Sequence, residues 1–216
     1  SQLMDLATPD DIYRNNSIKD TQRIIDITNS LKDFFPKTLK PMIVTNIGGF
    51  SMDEPLKEED KNNYYTTFRD SLDKLNMEGV EVIPQTMAPF PWHFGGQRYQ
   101  NLFVKPDEIV KWCNELGLRM CFDVSHSMLT CNHFGFNFYE FAEEISPVTA
   151  YLHMGDASGV NGEGLQIGDG EIDFIKLANI LNDNCPNTAF IPEIWQGHKN
   201  GGEGFWIGLN KLEGLL

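Results

Sequence analysis

The chain has 216 residues, with 41% hydrophobic and 12% aromatic residues and a formal net charge of −14. That length suits one large domain or two small ones and leaves ample material for a core. The acidity speaks against nucleic acid and anionic membrane surfaces, which need a positive footprint; no apolar run is long enough to span a bilayer, and the N-terminus lacks a signal-peptide pattern.

Taken in order, Gln2–Ala7 reads as the tail of a strand and Thr8–Asn16 as a polar loop. Ser17 is placed to cap a helix that reaches Phe35, with Ile18, Ile25 and Leu31 among its apolar positions, ended by Pro36, Lys37 and Pro41. Met42–Thr45 is a short β-branched run ending at Asn46, and Gly48-Gly49 turns the chain. Ser51–Asn62 is a charged loop; Tyr64–Met77 has helical spacing with Phe68, Leu72 and Leu75 on one face and Gly79 after it. Val80–Ile83 is the next strand and delivers Pro84-Gln85. The long irregular stretch Thr86–Lys105 is rich in aromatics, which argues for an ordered flap or lid rather than disorder.

Pro106 opens a helix whose face is Ile109, Trp112, Cys113 and Leu116, and Gly117 closes it. Met120–Asp123 is an apolar strand with a carboxylate at its tip and His126 three residues on. A helix over Phe136–Ile145 precedes the strand Val148–Met154, which delivers His153. A glycine-rich loop, Gly155–Gly170, follows; it lacks the GK[ST] of a phosphate loop. Ile172–Asn184 is a helix with Phe174, Ile175, Leu177, Ala178 and Leu181 inward; Thr188–Ile191 is the last strand, carrying Glu193, and Glu203–Leu216 a closing amphipathic helix. Cys113, Cys121, Cys131 and Cys185 form no CxxC pair, which points to free thiols and a cytoplasmic protein, with Cys113 and Cys121 in the core.

Strand followed by helix, about six times over, predicts an α/β fold with a parallel sheet and helices outside. Four strands end in Gln85, Asp123, His153 and Glu193, spaced 38, 30 and 40 residues apart, each interval one βα unit. In a (β/α) barrel all strand C-termini meet at one rim, so these four side chains converge; an open doubly wound sheet would spread them along an edge. A carbonyl oxygen, two carboxylates and an imidazole together suit a divalent cation such as Mn, Mg, Co or Zn. His126 is placed beside them, as a group behind the ligands or a contact to a substrate hydroxyl.

The segments Asp123-Val-Ser-His126, Leu152-His153-Met-Gly-Asp-Ala, Gly162–Phe174 and Pro192-Glu193-Ile-Trp-Gln-Gly-His198, in this order, resemble the xylose-isomerase-like TIM-barrel superfamily over nearly the whole chain. That group holds sugar isomerases, ketose 3-epimerases and the endonuclease IV type of abasic-site nuclease. The resemblance implies a (β/α)8 barrel in which a Glu, an Asp, a His and a Glu bind one metal. Asp123, His153 and Glu193 match the last three, and Gln85 stands where the first Glu is expected. In the epimerases the first and last Glu also exchange protons with the sugar; an amide takes up no proton at neutral pH, which disfavours two-base epimerisation and leaves one-base isomerisation through Glu193 or a dehydratase-like step. The nuclease reading is disfavoured: Asn46 stands at one of its histidine positions, and Gly162 and Gly164 at an Asp and a His.

Five whole strands and the tail of a sixth are visible. The expectation is therefore a single barrel domain over 1–216, incomplete at its N-terminus, with the first two βα units missing and the open edge covered by an upstream segment or a second copy. The leading functional expectation is a metal-dependent isomerase or epimerase acting on a sugar or sugar-acid derivative, with Glu193 as acid/base and His126 assisting. Asn46, Trp92, His93, Gln196 and His198 are the candidate substrate contacts. The alternative is a catalytically weakened domain of the same fold that binds a carbohydrate or a partner.

Overall fold

The computed structural model describes residues 3–35, 40–93 and 96–215. Helix α1 (Asp11–Ser30) leads to β1 (Met42–Thr45), the short β2 (Phe50–Ser51), α2 (Glu58–Leu72) and β3 (Glu81–Pro84). Three two-residue strands, β4 (Trp92–His93), β5 (Gly96–Gln97) and β6 (Tyr99–Gln100), then structure the long loop. There follow α3 (Pro106–Leu116), β7 (Met120–Asp123), α4 (Val124–Phe134), α5 (Phe138–Ile145), β8 (Thr149–Met154), β9 (Asp156–Ser158) and β10 (Gly162–Leu165). The chain ends with α6 (Phe174–Asn184), β11 (Ala189–Pro192) and α7 (Lys199–Leu212).

The fold is α/β and TIM-barrel-like. β1 pairs with β3, and β7 with β8 and β11, all in parallel. A parallel bridge between Gln85 and Cys121 joins the two sets, with Gln85 N–H donating to Thr45 O and Thr86 N–H to Cys121 O, both at 3.0 Å. Strands therefore follow one another around an arc in chain order. Among the described residues the arc does not close: no strand pairs with the outer edge of β1 or of β11. The expected strand tail over Gln2–Ala7 is not a strand within 3–7, and Gln2 lies outside the described residues. The segment still lies beside the end of β1, since Leu6 N–H donates to Ile47 O at 3.0 Å.

Paired residues in a parallel ladder face the same way, as do residues two apart along a strand. Val82, Phe122, Leu152 and Phe190 thus form the outer face, packed with Ile25, Phe68, Trp112, Phe141, Leu177 and Leu212 from the surrounding helices. The inner face carries Val44, Ile83, Cys121 and Tyr151, then Asp123 and His153 one step nearer the rim. Helices cover the outer face and the strands' own inner side chains fill the other, so the central strands are buried on both faces and read as near-continuous apolar runs.

Several helix boundaries differ from the sequence reading, each for a local reason. α1 starts at Asp11 because Asp10, not Ser17, is its cap: the Asp10 carboxylate accepts from the backbone N–H of Ile12 and Tyr13. Ser17 is buried and accepts instead from Asp5 N–H. Pro36 and Lys37, expected to end this helix, lie outside the described residues, and the helix already stops at Ser30. α2 begins at Glu58, inside the expected loop, where Glu58, Glu59 and Asp60 suit the positive end of the helix dipole, and it ends at Leu72 rather than Met77. α4 was not expected. Ile175 of α6 is 65% exposed, not inward. In α7 the backbone of Asn200–Gly202 is left-handed, so regular helix starts near Glu203, as the sequence indicated.

The Thr86–Lys105 loop is ordered by its neighbours where it is described. β6 pairs with β2, Gln100 donates to Gly48 O and Asn101 to Gly49 O, and Gln97 Nε2 reaches Asn161 Oδ1 at 3.1 Å. All four cysteines are free, and three of them, Cys113, Cys121 and Cys131, are buried. No helix among the described residues is long and apolar enough to cross a membrane.

Candidate active site

The rim residues are placed by sheet register. Asp123 and His153 are direct partners in the β7–β8 ladder, and His153 pairs with Ile191 of β11. Glu193 sits two residues past Ile191, held by its N–H to Met154 O at 2.8 Å. One ligand atom from each of Asp123, His153 and Glu193 lies within 4.8 Å of the others.

His153 Nδ1 is the centre of this group. It stands 2.5 Å from Glu193 Oε2 and 3.8 Å from Asp123 Oδ2. The atom is buried and yet makes no hydrogen bond of proper geometry. An imidazole nitrogen and two carboxylate oxygens this close together are a donor set that suits a divalent cation. Burial opposes charge on this imidazole, but Asp123, Cys121 and Glu193 outweigh it and push His153 up to about 12. A proton thus holds the carboxylates' charge when no ion does.

Asp123 has a second task. Its Oδ1 accepts from His126 N–H at 3.0 Å and so caps α4. Its Oδ2 lies 3.1 Å from His126 Nδ1, which is also 3.1 Å from Thr86 O. Although buried, the Asp123 carboxyl is held below its usual range by His126 and His153. His126, opposed by burial but favoured by Asp123 and then Glu163, rises to about 9. Thr86 fastens this corner: its hydroxyl accepts from Asp123 N–H at 2.9 Å and from Ser127 Oγ at 3.0 Å.

A cleft of about 720 Å³ opens over the group, with Asp123, His126, Glu163, Glu193, Gln196 and His198 in its lining. Of the expected substrate contacts, the structure brings Gln196 and His198 to this cleft. Asn46 does not line it: its amide donates to Met87 Sδ at 3.3 Å and its oxygen accepts from Gly48 N–H. Trp92 is 56% exposed in the β4–β5 hairpin, also outside the lining, and the side chain of His93 lies outside what is described. Gln85 faces inward with Cys121 and Asp123, and its amide nitrogen donates to Met87 Sδ at 3.4 Å.

Glu163 is the residue that sequence reasoning missed. Its Oε2 lies 3.6 Å from His126 Nε2, on the side of the ring away from Asp123. The glycines flanking it were the available signal. Gly164 has φ +64, and a Cβ there would meet Trp195 N at 3.2 Å, so this approach of β10 to the residues after Glu193 requires glycine.

A family model described as xylose isomerase-like TIM barrel matches residues 1–209. Solved structures with similar folds include a D-tagatose 3-epimerase-like protein, at 17% identity and TM-score 0.67, covering 98% of this chain and 76% of that one. An L-ribulose 3-epimerase gives 12% identity and TM-score 0.71, with 98% and 70% covered. The 3-keto-D-glucoside 4-epimerase YcjR of E. coli gives 15% and 0.68, with 99% and 76% covered. At these identities the likeness is one of fold. No curated protein matches the chain in sequence.

Proposed function

Because the chain belongs to the xylose isomerase-like TIM barrel family, we propose that it is a metal-dependent enzyme of the isomerase or epimerase kind, acting on a sugar or sugar-acid derivative. The observation that carries this reading is the gathering of Asp123, His153 and Glu193, one ligand atom of each within 4.8 Å of the others. These three residues, with Gln85 on the same face of the arc, would hold one divalent ion such as Mn, Mg, Co or Zn. When bound, such an ion supplies Lewis-acid polarisation of the sugar oxygens.

The chain's own residues supply the rest. Glu193 is half-exposed to the cleft, with Oε2 turned to His153, and takes the proton from the carbon beside the carbonyl. Gln85 exchanges no proton, so the same Glu193 returns it; this favours one-base isomerisation over two-base epimerisation. His126 is fixed at Nδ1 by Asp123 and Thr86, leaving Nε2 to donate to a substrate oxygen. Gln196 and His198 contact the sugar from the outer wall. Asn46 is committed to Gly48 and Met87, and Trp92 stands away from the lining, so neither enters the proposed contact set.

A second reading, a binding domain of weakened catalysis, is favoured by one observation: an amide stands at the Gln85 position and is engaged by Met87. Elemental analysis of the purified protein, followed by product analysis with D-fructose and D-tagatose, separates the two. The enzyme reading expects one bound divalent ion per chain and a new sugar product, lost by ~100-fold or more in Glu193→Gln. Protein that takes up no ion and turns over no sugar supports the binding domain.

A further inference from the structure

Glu163 stands apart from the other carboxylates of the cleft. Asp123 is occupied by the α4 cap and His126, and Glu193 faces His153. Glu163 lies 3.6 Å from His126 Nε2, beyond hydrogen-bond reach, and its side chain is 20% exposed. Its position is nonetheless fixed. Gly164 N–H donates to Ser125 Oγ at 2.8 Å, and Gly164 O accepts from Trp195 N–H at 2.7 Å. The strand carrying Glu163 is thereby clamped between the first turn of α4 and the wall that follows Glu193.

Two atoms 3.6 Å apart that face one cleft can both reach a single hydroxyl placed between them, at ~2.8 Å from each. The imidazole N–H donates to its oxygen, and its hydrogen goes to the carboxylate. We propose that Glu163 is a specificity-determining residue: with His126 it grips one free hydroxyl of the substrate, and its charge turns away phosphorylated sugars. This rests on the metal-dependent reading given above, taken with a neutral sugar as the substrate.

The test uses the full chain loaded with Mn, with D-fructose and D-fructose 6-phosphate as probes and affinities from calorimetric titration. Wild type is expected to bind the neutral sugar at least ~10-fold more tightly than its phosphate. Glu163→Gln should weaken D-fructose by ~10-fold and narrow the gap between the two sugars, while Mn content stays unchanged; Glu163→Asp should recover part of the discrimination. An unchanged preference in Glu163→Gln, equal or tighter binding of the phosphate by wild type, or no binding of D-fructose with Mn in place overturns the role of Glu163 and leaves the metal reading standing. Wild type that takes up no Mn overturns the metal reading itself, and this inference with it.

Discussion

Raising the pH should tighten metal uptake. In the metal-free protein the His153 imidazole sits between Asp123 and Glu193 and is pushed up to about 12, so it is protonated at neutral pH. An ion that binds through Nδ1 must displace that proton. Each pH unit below the imidazole's pKa then changes the apparent affinity tenfold, ~1.4 kcal/mol, so moving from about pH 6 to about pH 8 should strengthen binding ~100-fold. Zinc or manganese titration by calorimetry, in buffers of different ionisation enthalpy, measures both the affinity and the protons released, with close to one proton expected per ion. Glu193→Gln removes one of the two charges that hold the proton. It should lower the affinity and flatten the pH slope at the alkaline end. A dissociation constant independent of pH over this range, with no proton released, would show His153 to be neutral and refute the reasoning.

Other outcomes follow from the same corner of the molecule. His126 is raised from 6.5 to about 9, so the stability it contributes is complete below pH 6.5 and disappears as the pH rises through 9. Chelator-treated protein should lose up to ~3 kcal/mol across that window in urea melts, and His126→Gln should remove most of the slope. Thr86→Val leaves Asp123 N–H and Ser127 Oγ without their hydroxyl partner and should cost ~1–3 kcal/mol, read from the denaturation midpoint. Gly164→Ala places a Cβ on a backbone at φ +64, against Trp195 N, and should cost ~1–3 kcal/mol; melting as well as wild type would show that the clamp has slack.

The five parallel strands and the residues at their tips were legible because strands packed under helices leave apolar runs in the sequence, and their polar ends stand out. Asp123, His153 and Glu193 are brought together as the spacing indicated. α1 starts ahead of Ser17 because the Asp10 carboxylate accepts from Ile12 and Tyr13 N–H, while Ser17 serves Asp5. α4 carries no separate start signal in the sequence, since its cap is the Asp123 carboxylate at the tip of the preceding strand. Gly162 and Gly164 mark a close backbone approach around Glu163, but not what it faces. Its place depends on Ser125 and Trp195, which hold Gly164 from two other elements, and no local pattern encodes that. Gln85 reads the same way in both views, an amide on the inner face where a carboxylate would be expected.

The open flank of the arc bears on the fate of a hydrogen atom. Ala189 and Ile191, on the last strand, are exposed, and Glu193, two residues on, is half-exposed at the same end. A hydrogen lifted from carbon onto Glu193 would there trade places with solvent before its return. In heavy water the product would carry deuterium at that carbon; a wall drawn across the flank, by whatever surface provides it, would let the original hydrogen go back. Label retention thus measures how well that side is sealed in a working molecule.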